Sequence, residues 1–102
     1  MTLPPPPADR IVLYGRDGCH LCETARAVVV AHLASRADAG RPVAELLDVD
    51  IHGDERLARA FLETIPVIAA GGSLLELATS PTRIRSFLDA ALDAPAVGGS
   101  GR

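Results

Sequence analysis

The two cysteines of this chain stand close together, in the segment Cys19-His20-Leu21-Cys22. A thiolate is a nucleophile toward disulfides, and a second thiol placed two residues further on a helical turn can close a disulfide with the first. The spacing therefore favours thiol–disulfide exchange in which the two sulfurs act in turn. Two buried structural thiols, or half of a metal site shared between two chains, are alternative interpretations of the same pair.

The chemistry of this pair depends on the elements around it. A short apolar run over residues 11–14 predicts a central strand before the cysteines. The spacing of four apolar residues at 25, 28, 29 and 33, with His32 among them, predicts one face of a helix after the cysteines. A thiol at a helix N-terminus meets unpaired N–H groups, which lower a thiol pKa from about 8.5 toward roughly 3.5–7.5. We therefore predict that Cys19 is the attacking nucleophile and Cys22 the resolving cysteine.

The rest of the pattern alternates between strands and helices. It predicts a strand over 43–47, a short helix from an Asp54 N-cap to residue 62, a hairpin of strands 67–69 and 74–77, and a helix that begins at Ser80-Pro81. The order βαβαββα predicts an α/β fold with a four-stranded mixed sheet and helices on both faces.

Length and composition narrow the classes of protein. With 102 residues, 48% of them hydrophobic and 23% charged, the chain fits one globular domain, which we place at residues 10–93 between a disordered Pro-rich lead (1–9) and a disordered tail (94–102). All ten basic residues are scattered arginines and the net charge is −3, so we expect no nucleic-acid partner. No apolar stretch approaches the about 18 residues of a membrane span, and no signal peptide is visible. We therefore expect the protein to be cytoplasmic, and we expect it to be a monomer.

The segment 13–23, Leu-Tyr-Gly-Arg-Asp-Gly-Cys-His-Leu-Cys-Glu, resembles the active-site segment of glutaredoxins, and more closely that of bacterial glutaredoxin-like domain proteins with a Cys-His-Leu-Cys motif. The resemblance continues through residues 47–51 and 64–67 to the glycines at 71–72. It implies a thioredoxin-like, three-layer fold and the activity of a thiol–disulfide oxidoreductase.

The resemblance also implies a substrate-binding segment formed by Thr64, Ile65 and Pro66. The family's proline that matches Pro66 is cis and lies opposite the nucleophilic cysteine. The backbone at Ile65 would then pair with an extended substrate segment and present a disulfide sulfur to Cys19. A trans proline that opens an edge strand is the alternative interpretation of Pro66.

The sequence departs from typical glutaredoxins in ways that bear on its substrate. His20 and Leu21 replace the family's proline and aromatic residue between the cysteines. We assign tuning of the Cys19 thiolate to His20 and Arg16, although a solvated His20 is equally compatible with the sequence. Arg16 also matches the basic residue near the glycyl carboxylate of glutathione, whereas the family's second Gly-Gly and acidic pair are missing from residues 72–80. Glutathione dependence therefore stays open.

The predicted activity is exchange of disulfides with a protein or a low-molecular-weight thiol. This reaction needs no bound cofactor and no metal, only a thiol or dithiol partner that returns the electrons. Two other functions remain possible from the sequence: carriage of an iron–sulfur cluster or metal through a cysteine shared between chains, and a redox-inert binding module. The retained Cys22 and the incomplete glutathione site argue against the metal carrier. The resemblance adds a further argument, because the family's proline that matches Pro66 shields the sulfur from metals.

Overall fold

The computed structural model describes residues 10–93, and the predicted lead (1–9) and tail (94–102) lie outside them. Within the described residues the elements are β1 (Arg10–Gly15), α1 (His20–Asp38), β2 (Glu45–Asp50), a 3-10 turn (Ile51–Gly53), α2 (Glu55–Phe61), β3 (Val67–Ala70), β4 (Ser73–Leu75) and α3 (Pro81–Asp93). The predicted order βαβαββα is confirmed. None of the helices in residues 10–93 combines the length and hydropathy that a membrane span requires.

The sheet has the strand order β2-β1-β3-β4. Strand β1 runs parallel to β2 and antiparallel to β3, and β3 forms an antiparallel hairpin with β4. Because β1 is central, Ile11, Val12 and Leu13 are all buried. This position explains why the first strand is a continuous apolar run rather than an alternating one.

Helices cover both faces of the sheet. On one face, Ile11 and Leu13 of β1 form a cluster with apolar residues of α1 and α3, among them Val29 and Leu88. On the other face, Tyr14 of β1 and Val67 of β3 pack with residues of the 3-10 turn and α2: Ile51, Leu57 and Phe61. The Tyr14 and Phe61 rings lie 4.9 Å apart, and burial raises the pKa of the Tyr14 hydroxyl. The predicted three-layer α/β arrangement is confirmed.

A buried cation joins the end of α1 to α3. Arg36 is only 2% exposed and donates hydrogen bonds to Asp89 Oδ1 (2.7 Å), Asp93 Oδ1 (2.6 Å) and the Pro42 carbonyl (2.8 Å). His32 Nε2 lies 2.8 Å from Asp89 Oδ1, so the histidine is part of the packed edge between the helices. The contact with His32 and the bond from Arg36 lower the pKa of Asp89, and the bond from Arg36 lowers that of Asp93.

Two strands differ in extent from their predicted bounds. Strand β2 occupies Glu45–Asp50 instead of 43–47, because all six residues of β1 pair with it, from Arg10↔Glu45 to Gly15↔Asp50. Strand β4 ends at Leu75 instead of residue 77. Leu77 has a φ of 51°, a left-handed conformation that does not continue a strand. The 3-10 turn was not predicted; Asp50 Oδ1 caps it by accepting from the His52 N–H at 2.8 Å.

Candidate active site

The cysteine pair lies at the start of α1, as the sequence predicts. A turn with Gly18 at φ 74° leads from β1 to Cys19, whose N–H donates to the Arg16 carbonyl at 3.3 Å. Cys19 is the N-cap of α1, and its Sγ accepts a hydrogen bond from the Cys22 N–H at 3.1 Å. The two sulfurs are joined in a disulfide with a Cα–Cα distance of 5.2 Å. Cys19 Sγ thus takes the place of the oxygen of an ordinary N-cap side chain, and a hydrogen bond from an N–H favours the thiolate form of a cysteine.

The two sulfurs differ in their surroundings. Cys19 is partly exposed, whereas Cys22 is buried, with 7% of its surface exposed. Gly15, the last residue of β1, allows Cys22 to pack this closely, because a Cβ on Gly15 would lie 3.0 Å from Cys22 Sγ. Cys19 can therefore be reached from solvent, whereas Cys22 is covered by the protein. The difference in burial fits the unequal roles predicted for the pair.

The predicted substrate-binding segment lies at the same end of the sheet as the cysteine pair, where β1 ends and β3 begins. Tyr14 pairs with Val67, so Pro66 lies immediately before β3, beside the end of β1. The Ile65–Pro66 peptide bond is cis, so the alternative of a trans proline that opens an edge strand is wrong. The Ile65 N–H donates to the Phe61 carbonyl at 3.0 Å. Among residues 10–93, no group donates a hydrogen bond to the Ile65 carbonyl.

The loop after β4 closes against this segment. The Leu77 N–H donates to the Thr64 carbonyl and the Ala78 N–H to the Pro66 carbonyl, both at 2.8 Å. Thr64 is half-buried, and its Oγ1 lies 3.4 Å from the Phe61 carbonyl. The three residues predicted to bind substrate are thus held between the end of α2 and the loop that contains Leu77.

A charged cleft of 310 Å³ opens on the other side of Cys22, where β1 and β2 end and α1 begins. Besides Cys22, its lining includes these charged residues: Arg16, Asp17, Glu23, Arg26, Asp48 and Asp50. Arg26 Nε lies 3.0 Å from Asp48 Oδ2, and both side chains are about half exposed. Arg26, Asp48 and Asp50 were not among the residues that the sequence predicted for the site. The two aspartates could have been found from their position at the carboxyl end of a strand parallel to β1, because binding clefts of α/β sheets form there.

The two residues assigned to thiolate tuning lie in different places. Arg16 is exposed and lines the cleft that reaches Cys22. His20 is exposed as the first residue of α1, and its carbonyl accepts from Thr24 Oγ1 at 3.2 Å. Their effect on the Cys19 thiolate stays a prediction. Within residues 10–93, no group of three or more His, Cys, Asp or Glu side chains is arranged to hold a metal ion.

Comparison with known proteins agrees with this geometry. The family model of the glutaredoxin-like domain (DUF836) matches residues 10–92. The X-ray structure of the structural-genomics target XcR50 from X. campestris is 31% identical, has a TM-score of 0.61, and the match covers 83% of this chain and 99% of that chain. The solution NMR structure of Ne2328 from Nitrosomonas europaea is 26% identical, with a TM-score of 0.60 and coverage of 85% and 99%. No curated protein matches the sequence.

Proposed function

Because this chain belongs to the glutaredoxin-like domain family (DUF836), we propose that it is a thiol–disulfide oxidoreductase that uses Cys19 and Cys22. One observation carries the proposal: the two sulfurs are within bonding distance at a helix N-terminus, with Cys19 accessible and Cys22 buried. The substrate is a disulfide in a protein or a small molecule, and a thiol or dithiol partner returns the electrons. We place the reaction in a reducing compartment such as the cytoplasm.

The first step is attack of the Cys19 thiolate on a substrate disulfide. A bond forms between Cys19 Sγ and one substrate sulfur, the substrate S–S bond breaks, and the other substrate sulfur leaves as a thiolate. The Cys22 N–H that bonds Cys19 Sγ, together with the N-terminus of α1, stabilises negative charge on the nucleophile. The product of this step is a mixed disulfide between Cys19 and the substrate.

In the second step Cys22 resolves the mixed disulfide. The Cys22 thiol releases its proton to water and attacks Cys19 Sγ, so that the Cys19–Cys22 bond forms and the second substrate sulfur leaves as a thiolate. The substrate has gained two electrons and the protein has lost two. The state with both cysteines joined is the end point of this reaction, and two electrons from the reducing partner restore the dithiol.

The test uses the Cys22→Ser variant, which keeps the nucleophile and lacks the resolving thiol. The full chain is incubated between about pH 6 and pH 9 with oxidised glutathione, or with a peptide disulfide, and its intact mass is measured. We expect a stable adduct on Cys19 with at least one of these probes. In the matched Cys19→Ser variant, the buried Cys22 should form adducts at least about tenfold more slowly.

Two results would contradict the proposal. Equal adduct formation by both variants would remove the assignment of unequal roles, and the absence of any adduct would remove the exchange activity itself. A visible absorbance band that depends on Cys19 after anaerobic incubation with iron and sulfide would instead support the cluster-carrier function.

A further inference from the structure

The second step of the proposed reaction requires Cys22 to lose a proton, although the protein covers its sulfur. Cys22 is 7% exposed, and the place of a Cβ on Gly15 is 3.0 Å from its Sγ. Strand β1, against which Cys22 packs, contains neither an acidic residue nor a histidine. A side chain that accepts the Cys22 proton must therefore belong to another element.

The charged cleft described above reaches Cys22 from the side opposite the substrate-binding segment. Its volume of 310 Å³ corresponds to about ten water molecules, so water in the cleft can reach this cysteine. A carboxylate is a much stronger base than water, so the acids of the lining are better proton acceptors than water alone. The turn before α1, α1 itself and β2 each contribute charged groups to the lining: Arg16, Asp17, Glu23, Arg26, Asp48 and Asp50.

Among these acids, Asp50 is the one that the sheet places beside Gly15. The two residues pair in the parallel register of β1 and β2, where neighbouring strands lie about 4.8 Å apart. Leu13 and Asp48, which pair two residues earlier, both face α1, since Leu13 packs with residues of α1 and Asp48 forms an ion pair with one. Side chains two residues apart on a strand share a face. Asp50 therefore also faces α1, next to the place that Cys22 occupies over Gly15.

Hydrogen bonds distinguish Asp50 from the other acids of β2 and α1. Asp50 Oδ1 caps the 3-10 turn, and no group of residues 10–93 bonds its second carboxylate oxygen. Asp48 Oδ2, in contrast, is bonded to Arg26 at 3.0 Å. Glu23 follows Cys22 directly on α1, and consecutive side chains on a helix do not face each other. Asp50 thus combines a place beside the buried sulfur with an oxygen that can accept a proton.

We propose that Asp50 accepts the Cys22 proton, through water in the charged cleft, when Cys22 attacks the mixed disulfide. This inference rests on the proposed function. The S–H bond of Cys22 breaks, its proton passes through water to the Asp50 carboxylate, and the Cys22 thiolate forms the bond to Cys19 Sγ. The substrate sulfur leaves as a thiolate, and Asp50, which is exposed, returns the proton to solvent. When the partner reduces the disulfide, Asp50 supplies a proton to Cys22 by the same path.

The experiment measures the second step in the full chain with Asp50→Asn, since asparagine keeps an oxygen for the cap of the 3-10 turn but is not a base. Reduced protein is mixed with oxidised glutathione, or with a peptide disulfide, at increasing concentration and quenched with acid. Intact mass then distinguishes reduced protein, adduct and oxidised protein. At high concentration the rate of oxidation no longer depends on the probe and equals that of the second step. We expect Asp50→Asn to lower this rate about tenfold at pH 7, less than typical for a general base because water remains an acceptor.

The pH profile separates proton transfer from other effects of the substitution. Above the ordinary thiol pKa of about 8.5, thiols ionise without a neighbouring base, so the two rates should converge by about pH 10. A carboxylate that acted only through its negative charge would disfavour a nearby thiolate, and its removal would raise the rate at pH 7. Damage to the fold would lower the rate at every pH. Circular dichroism verifies folding, and Asp50→Ser, whose hydroxyl can also cap the turn, replaces Asp50→Asn if the latter is unfolded.

The control variant is Asp38→Asn. Asp38 is the exposed last residue of α1 and does not line the cleft, so its substitution removes one charge and should leave the second step unchanged. The variants Asp17→Asn, Glu23→Gln and Asp48→Asn test the other acids of the cleft. If one of them slows the second step as much as Asp50→Asn does, with the same pH profile, the assignment of the proton to Asp50 is wrong.

The outcomes separate this inference from the proposed function. The inference is wrong if Asp50→Asn keeps or raises the wild-type rate at pH 7, or lowers it equally at pH 7 and pH 10. The first step is measured as adduct formation by Cys22→Ser with and without Asp50→Asn, and the two rates should be equal. If Cys22→Ser forms no adduct, the proposed function itself fails; if it does, a negative result with Asp50→Asn overturns only the role of Asp50.

Discussion

Gly15 determines how closely Cys22 packs at the end of the central strand. Its φ is not in the left-handed region, so its importance is steric: the place of a Cβ is 3.0 Å from Cys22 Sγ and 3.1 Å from Cys22 Cβ. Cys22 has little freedom to move away, because it is buried and bonded to Cys19. At the scale of single residues, the absence of one side chain is therefore a condition for the position of the Cys22 sulfur.

Substitution of Gly15 by alanine tests this packing. We expect Gly15→Ala to lower the free energy of unfolding of the oxidised protein by about 1–3 kcal/mol, because Cys22 must move by a few tenths of an ångström in a packed region. Urea unfolding followed by circular dichroism measures the change. Gly53→Ala is the matched control, since a Cβ there meets no atom within 4 Å. Equal stability of the two variants would show that Cys22 is not tightly packed against Gly15.

At the scale of elements, the contact between α1 and α3 depends on a network of charged groups as well as on apolar packing. The Arg36 guanidinium spans the two helices, with Asp89 and Asp93 on α3 and the Pro42 carbonyl beyond the end of α1. Arg41 also contacts Asp93. Removing Arg36 would leave carboxylates and a carbonyl without their main donor.

We expect Arg36→Met to lower the free energy of unfolding by about 2 kcal/mol. This is less than the roughly 3–5 kcal/mol typical of fully buried pairs, because the side chains of Asp89 and Asp93 stay 39% and 32% exposed to water. Urea unfolding measures the loss. The control is Arg59→Met, which breaks the exposed pair with Glu55 (3.2 Å) and should change stability little. Comparable losses in both variants would contradict a special role for the buried cation.

At the scale of the whole molecule, the same network couples stability to pH. The pKa values of Asp89 and Asp93 are lower in the folded protein than the ordinary value of 3.8, through His32 and Arg36 for Asp89 and through Arg36 for Asp93. The pKa of Asp54, the N-cap of α2, is also lowered, because the Arg56 N–H donates a hydrogen bond to its carboxylate. Between the folded and unfolded pKa values, the unfolded chain binds more protons, so acid favours unfolding.

The stabilisation from these carboxylates is therefore present above the unfolded pKa and is lost as the pH falls through the folded values. We expect the free energy of unfolding to decrease as the pH falls below 3.8. Urea unfolding from about pH 2 to pH 7 measures this dependence. Arg36→Met should show a shallower decrease in acid, because the bonds that lower these pKa values are absent. If the free energy of unfolding fell equally steeply with pH in both proteins, groups other than Asp89 and Asp93 would cause the loss of stability in acid.

Much of the fold and part of the site follow from local patterns. The run at residues 11–14 predicted β1, and the helical spacing after Cys19 predicted α1. The Asp54 N-cap predicted α2, and the Ser80-Pro81 start predicted α3. The position of the cysteine pair at a strand-to-helix turn followed from the same patterns. These features depend on side chains a few residues apart, and the period of 2 or 3.6 residues is visible in the sequence.

The sequence by itself determined the α/β fold, the order of its elements and the two cysteines at a helix N-terminus. The tertiary structure decided the extent of β2, which pairing with β1 sets, and the cis form of Ile65–Pro66. It also decided the partners of Arg36, 53 residues away at Asp89, and the position of Leu77 beside Thr64. Contacts of this kind join distant parts of the chain, and no local spacing encodes them, because they form only when packed layers bring the parts together.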